Sequence, residues 1–182
     1  MKARNLSLLI IILALSACGT VSNRYSAEKL DVSDVGADQG IIILSTGAAK
    51  RCISTSTFLS LKRNGSGEIA LFNVDGYAVK SDFAEHQGSL HTLILPEGEY
   101  FLSPWIANPY VVSTSKPVFK FQLNSGEILY LGEYYMPVAC KFNNVSVFRD
   151  QYKRDMSLLK TNKPALVTDK VIKRVPEFVG IL

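Results

Sequence analysis

The clearest structural signal in this 182-residue chain is Val118-Phe119-Lys120-Phe121-Gln122-Leu123. Side chains of a β-strand point to alternate faces, so the even-numbered residues face one way and the odd-numbered residues face the other. Phe119, Phe121 and Leu123 form an apolar face that we expect to be buried, while the opposite face carries a lysine and a glutamine. The stretch therefore predicts a strand with one face in a hydrophobic core and one face in solvent.

Similar short apolar or alternating runs, separated by turn residues, extend upstream and downstream of this strand. Ile41 to Leu44 is continuously apolar, which predicts a strand buried on both faces. Asn64-Gly65 supplies the positive φ angles of a tight hairpin turn, so we expect the runs 58–62 and 68–74 to pair. Seven or eight such strands, with a turn about every ten residues, predict a mainly β fold: a single antiparallel β-sandwich.

One helix is predicted near the end of the chain. Apolar side chains recur there at helical spacing, at Tyr152, Met156 and Leu159. Asp150 is a candidate N-cap, and Pro164 ends the pattern. The tail from Ala165 to Leu182 fits either a short helix or an edge strand, and the pattern does not choose between them.

The N-terminus has the three parts of a secretion signal. Lys2 and Arg4 provide a positive start, residues 6–15 are apolar, and Leu15-Ser16-Ala17-Cys18 follows. An alternative is a transmembrane helix, but the apolar run is about half of the ~20 residues that span a bilayer. The quartet resembles the lipobox of bacterial lipoproteins. The resemblance implies that residues 1–17 are a signal peptide and that Cys18 carries the acyl chains, which anchor the protein in a membrane.

Gly19 follows the anchor cysteine, at a position where inner-membrane lipoproteins of the enteric type usually have Asp. The resemblance therefore implies the outer membrane, with the protein facing the periplasm.

Residues 18–39 are polar and rich in small residues, so they are interpreted as a lipidated N-terminus and flexible tether. We expect residues 40–182 to form one β-sandwich domain with a C-terminal helix and tail. The formal net charge is +4, and the signal peptide holds two of these positive charges, so the remainder does not favour a nucleic-acid partner.

Cys52 and Cys140 remain as an even pair once lipid occupies Cys18. In an oxidising compartment we expect them to form a disulfide. A metal site or a free reactive thiol is the alternative, but neither cysteine has a second cysteine or histidine at ligand spacing.

Two further motifs carry a resemblance. Leu93-Ile-Leu-Pro-Glu-Gly-Glu-Tyr100 and Phe119-Lys-Phe-Gln-Leu-Asn-Ser-Gly-Glu-Ile-Leu-Tyr-Leu-Gly132 resemble small transthyretin-like or carboxypeptidase-regulatory-like β-sandwiches, and in particular an uncharacterised group of bacterial lipoproteins with that fold. The likeness covers roughly residues 40 to 160. It implies a β-sandwich and no catalytic residue.

Motifs for catalysis or metal binding are absent from the sequence. No Gly-x-Ser-x-Gly elbow, calcium loop or phosphate-binding glycine loop occurs. His86 and His91 are the only histidines, with Asp82 and Glu85 as the nearest ligand candidates, and His91 shares a face with apolar residues. We therefore expect a structural His91, no metal, no cofactor and no enzyme activity. A pocket holding either histidine beside a carboxylate would reopen the question of catalysis.

Trp105 and Tyr110 are the candidate binding residues, because each directly follows a proline in an expected loop of a rigid sandwich. The competing interpretation is that Trp105 closes the end of the core.

Positive charges also gather after residue 150, either as a solvated face or as a contact for anionic lipid or cell-wall polymer. The sequence thus predicts a non-enzymatic interaction module that binds a protein partner in an envelope assembly. The alternatives are a glycan- or cell-wall-polymer-binding module and, more weakly, a hydrolase with an unrecognised site.

Overall fold

The computed structural model describes residues 35–52, 56–76, 80–107, 115–138, 140, 146–166 and 169–182. The described part is mainly β, with one α-helix. The strands are β1 Gln39–Ala48, β2 Ser56–Arg63, β3 Glu68–Asn73, β4 Gln87–Pro96, β5 Gly98–Ala107, β6 Pro117–Leu123, β7 Ile128–Met136, β8 Val147–Arg149, β9 Val171–Lys173 and β10 Glu177–Ile181. The helix, α1, is Tyr152–Asn162, and a 3₁₀ turn at Pro164–Leu166 follows it.

Sheet one has β1 at its centre. β4 pairs with one edge of β1 in antiparallel orientation, and β7 pairs with the other edge in parallel orientation. The free edge of β7 is shared by two short strands, with β9 parallel beside its first half and β8 antiparallel beside its second half. The apolar run in β1 is buried throughout, as predicted for a central strand.

Sheet two is antiparallel throughout, in the order β10-β6-β5-β2-β3. The predicted pairing of β2 with β3 is confirmed. In the turn, Gly65 has a φ of 73°, but Asn64 does not have the positive φ that was predicted for it, and the turn spans residues 64–67. Glycine adopts this positive φ without steric strain because it has no Cβ atom. The strand that was predicted most clearly is β6, which buries Phe121 and Leu123.

The main hydrophobic core lies between the two sheets. Ile42 and Leu44 of β1 and Leu129 of β7 meet Leu61 of β2 and Leu102 of β5, and all five are at most 2% exposed. Because β1 also buries its opposite face, a second apolar cluster forms on the outer side of sheet one. There Met156 and Leu159 of α1 pack against Ile41 and Ile43. Sheet one is therefore covered on both faces.

The start of α1 lies close to its predicted position. Asp150 Oδ1 accepts a hydrogen bond from the backbone N–H of Tyr152 at 2.9 Å, but Gln151 is the residue that directly precedes the helix. The helix ends before Pro164, as the sequence predicted. The tail forms both β9 and β10, which resolves the choice that the sequence left open.

The prediction of one antiparallel sandwich with seven or eight strands is wrong in two respects. The described residues form ten strands in two sheets, and sheet one contains parallel pairs. The reason lies in the turns at residue 97 and at residues 124–127, which connect strands of different sheets instead of closing hairpins. β7 consequently pairs with β1, which is far from it in the sequence. Two parallel strands so far apart are not joined by a short turn, so no local sequence pattern predicts that they pair.

Candidate functional site

The candidate binding residues lie in different parts of the chain. Tyr110 and the lipidation candidate Cys18 are outside the described residues. Trp105 lies within β5, not in a loop, and 43% of it is exposed on the outer face of sheet two. Its ring centroid is 5.6 Å from that of Phe58 on the neighbouring strand β2. The interpretation that Trp105 closes the end of the core is therefore wrong, because the side chain points away from it.

The predicted disulfide is confirmed. Cys52 and Cys140 are bonded, with their Cα atoms 5.4 Å apart. Cys52 is buried in the core between the sheets, while Cys140 lies beyond the end of β7. The bond thus ties the segment after β1 to the segment after β7, which extends the pairing of these two strands.

His91 has the environment of a structural histidine. Its Nε2 atom lies 3.0 Å from the hydroxyl of Thr46, and its ring packs 4.7 Å from the ring of Phe72. Burial, assisted by the positive charge of Lys163, lowers the pKa of His91 to about 4. The imidazole is therefore neutral at neutral pH.

His86 belongs to a buried polar network that sequence reasoning missed. Its Nε2 atom lies 2.6 Å from Oε1 of Glu133, a residue of β7 that is fully buried. Arg149 binds the other carboxylate oxygen of Glu133, and Arg154 of α1 reaches Oε1 at 3.2 Å. Three cationic or polar side chains thus surround one buried carboxylate.

Asp155 is the second buried carboxylate of this network. Arg154 binds its Oδ1 atom, with Nη2 at 2.6 Å, and thereby bridges Asp155 to Glu133. Ser45 and Tyr130 donate hydroxyl hydrogen bonds to Oδ2 of Asp155 at 2.7 and 2.8 Å. Burial and the nearby negative charge raise the pKa of Tyr130, so its hydroxyl stays a donor.

The polar groups of this network are bound mainly to one another. Ser45 already donates to Asp155 and is fully buried, so it is not placed as a nucleophile for His86. The His86 ring is stacked on Phe83 and touches Tyr135 edge-on, which leaves 7% of the side chain exposed. Among the described residues, no three His, Cys, Asp or Glu side chains are grouped to hold a metal ion. The network joins α1 and β8 to the sheet through charge pairs.

A glycine in β1 is the sequence signal for this network. A Cβ atom on Gly47 would lie 2.7 Å from Glu133 Oε1 and 2.7 Å from His86 Nε2. Glycine inside a strand often marks a place where another group approaches the backbone closely. Gly47 makes room for the Glu133–His86 pair.

The positive charges of the C-terminal part do not form one free patch. Arg154 belongs to the buried network, Lys173 binds Asp150 at 2.7 Å, and Arg174 binds Glu127 at 2.7 Å. Three of the seven positive charges after residue 150 are therefore in ion pairs within the fold.

The exposed apolar side chains are concentrated in the last eight residues, in β10 and on either side of it. Large hydrophobic residues at least 44% exposed lie close together there, at Val175, Phe178, Val179, Ile181 and Leu182. Phe178 extends an aromatic cluster from the space between the sheets to the surface, with its ring 5.7 Å from that of Phe119. We call these five residues the β10 patch. An apolar patch on the surface of a soluble domain is a common mark of an interaction site.

A groove of about 480 Å³ borders the β10 patch on the outer face of sheet two. Its floor and walls come from β5, β6 and β10, at Phe101, Ser103, Val118, Val179 and Ile181. Lys62 and Arg63 at the end of β2, and the turn that follows them, also line it. We call this the outer groove.

The chain matches no family model, and no curated protein is significantly similar to it. In the part of the chain that the structure describes, no helix has the length and apolar character needed to cross a membrane.

Proposed function

We propose that this protein is a lipid-anchored lipoprotein of the outer membrane, facing the periplasm, whose β domain is a non-enzymatic interaction module in an envelope assembly. The signal-like residues 1–17 and Cys18 support the anchor, and the resemblance to transthyretin-like lipoproteins supports the class. The observation that carries the interaction role is the β10 patch, in which three apolar side chains of an edge strand and two that flank it are exposed.

The position of β10 favours a partner that adds a strand to the sheet. β10 pairs with β6 on one side only and is the outermost strand of sheet two. The backbone N–H and C=O of Leu182 both bond to Lys116, so the same groups of the preceding residue, Ile181, point away from β6. Ile181 lies opposite Pro117, which has no N–H to offer. These outward groups are free for an extended segment of a partner protein.

The anchor is tested by labelling cells with a radioactive or clickable fatty acid. The wild-type chain should incorporate the label and float with outer membranes. The Cys18→Ser variant should do neither, whereas Cys52→Ala/Cys140→Ala should keep both properties. Labelling of Cys18→Ser at the wild-type level would refute the anchor.

The interaction role is tested by placing a photoreactive amino acid at Phe178 in intact cells. We expect one discrete crosslinked protein from this position and none from Ser157, an exposed residue on the far side of the molecule in α1. Phe178 can be replaced with little loss of folding, because 55% of it is already exposed. Equal crosslinking from both positions would refute a specific β10 interface.

A glycan is the second candidate ligand, supported by the exposed Trp105 and the half-buried Phe58 beside it. An aromatic platform of this kind can stack on a sugar ring. Retention on purified cell walls that is lost in Trp105→Ala would favour this function, and equal retention of both proteins would exclude Trp105 as the platform.

A further inference from the structure

The turn between β2 and β3 holds an asparagine directly before a glycine, Asn64-Gly65. The backbone N–H of Ser66 donates to the carbonyl oxygen of Arg63 at 3.0 Å, which closes a four-residue turn with Asn64 and Gly65 at its centre. Both central residues are exposed, so water and hydroxide reach them from the solvent. An asparagine amide is attacked most readily by the backbone nitrogen of a following glycine, because glycine has no side chain that hinders the approach.

Gly65 presents this nitrogen without steric hindrance. It has a φ of 73°, and no heavy atom lies within 4 Å of the place that a Cβ atom would occupy. In the part of the chain that the structure describes, the N–H of Gly65 donates to no acceptor. No hydrogen bond therefore has to break before this nitrogen loses its proton and attacks.

The amide of Asn64 is tied to the neighbouring strand β5 through Glu99. The backbone N–H of Asn64 donates to the carbonyl oxygen of Glu99 at 2.9 Å, and Nδ2 donates to Oε1 of the same residue at 3.0 Å. Loss of Nδ2 thus removes one of the two bonds between the turn and β5.

The other asparagines that can be compared lack this combination. Asn124 also lies in an exposed turn, but Ser125 follows it and has a side chain. Asn73 is followed by the fully buried Val74, and its Oδ1 atom accepts a hydrogen bond from the backbone N–H of Gly76 at 2.7 Å. Asn64 is therefore the exposed asparagine with an unhindered backbone nitrogen next to it.

We propose that Asn64 is a site of spontaneous modification, at which the side-chain amide is converted to a carboxylate. The Gly65 nitrogen gives its proton to hydroxide and bonds to Cγ of Asn64, which forms a five-membered succinimide ring. The Cγ–Nδ2 bond breaks, and Nδ2 takes up a proton from water and leaves as ammonia. Water then opens the ring. Cleavage of the new N–Cγ bond gives aspartate, and cleavage of the original peptide bond gives isoaspartate, in which the chain runs through the side chain.

The products change the turn in charge and in length. A carboxylate at position 64 cannot donate to Glu99, so two negative charges face each other in place of a hydrogen bond. Isoaspartate also adds a methylene to the backbone between β2 and β3. Because Asn64 lines the outer groove, the groove gains negative charge. This modification is independent of the lipid anchor and of the β10 partner, and it goes beyond the proposed function.

The modification is tested by incubating the purified full-length protein at pH 8.5 and following its mass. Brief cleavage after lysine releases residues 63–80, which contain Asn64 and, as an internal control, Asn73. Fragment ions locate the gain in mass at one asparagine or the other. A synthetic peptide of residues 63–80 gives the half-time of Asn64 conversion without the fold. After ten such half-times, at least half of Asn64 in the folded protein should be converted, while Asn73 should be unchanged.

Two variants test whether Gly65 is the attacking residue. Asn64→Gln keeps an amide but requires a six-membered ring, and Gly65→Ala places a methyl group beside the nucleophile at the cost of some strain at its positive φ. Conversion at residue 64 should slow at least tenfold in both variants. Isoaspartyl methyltransferase should label the incubated wild type and neither variant.

Three results would overturn the proposal. They are conversion of less than half of Asn64 in the folded wild type, equal conversion of Asn64 and Asn73, and conversion of Asn64→Gln at the wild-type rate. None of these results bears on crosslinking at Phe178, so a failure here is distinct from a failure of the β10 interface.

Discussion

Replacing Glu133 with glutamine should lower the free energy of unfolding by about 3–5 kcal/mol, the usual consequence of removing one partner from a buried ion pair. Glutamine has nearly the same shape as glutamate, so the substitution removes charge without leaving a cavity. Arg149 and Arg154 then keep their positive charges next to a neutral amide that is fully buried. The loss is a large fraction of the ~5–15 kcal/mol that stabilises a typical domain.

The assay is urea unfolding followed by circular dichroism, with Glu177→Gln as the matched control. Glu177 forms an exposed contact with Lys120 at 3.8 Å, so its loss should change stability by less than ~1 kcal/mol. If Glu133→Gln is too unstable to purify, the double variant Glu133→Gln/Arg149→Gln should be more stable than the single variant, because one unpaired cation is gone. A Glu133→Gln protein within 1 kcal/mol of the wild type would refute the role of the network.

Three further predictions concern stability. Because the pKa of His91 is about 4 in the fold and ~6.5 when unfolded, the unfolded chain binds more protons between these values, and stability falls by about 2 kcal/mol from pH 7 to pH 5. Urea midpoints at both pH values should show a smaller fall for His91→Gln, and equal falls would contradict this. Cys52→Ala/Cys140→Ala should lose about 4–5 kcal/mol, since the bond spans 88 residues, and a denaturation curve matching the oxidised wild type would exclude this contribution. Gly47→Ala should destabilise by ~1–3 kcal/mol through contact with Glu133, whereas Gly67→Ala, which has open space, should not; equal melting temperatures would argue against the close approach.

The local elements of the fold could be predicted from the sequence because their signals are local. The alternation in β6, the Asn64-Gly65 turn and the spacing of Met156 and Leu159 each depend on residues a few positions apart. Each of these predictions is matched by an element of the fold. The assignment of strands to sheets could not be predicted, since the turn at residue 97 gives no sign of whether the next strand pairs or crosses to the other sheet.

The candidate sites depend on contacts between distant parts of the chain. Glu133 meets His86 from 47 positions away and Arg149 from 16 positions away, and no sequence pattern relates them. Gly47 was the one local sign of the network. The outer groove also escaped prediction, because β10 supplies one wall and the tail that contains it fitted a helix as well as a strand.

The most direct test of the interaction role is amide hydrogen exchange in β10, measured on the isolated protein and on the complex recovered by crosslinking at Phe178. The backbone N–H of Leu182 donates to Lys116 at 2.9 Å and should be protected in both samples. The N–H of Ile181 points away from β6, so it should exchange rapidly in the isolated protein and slow at least tenfold in the complex, where a partner strand accepts it. Rapid exchange of Ile181 in both samples would contradict strand addition at this edge.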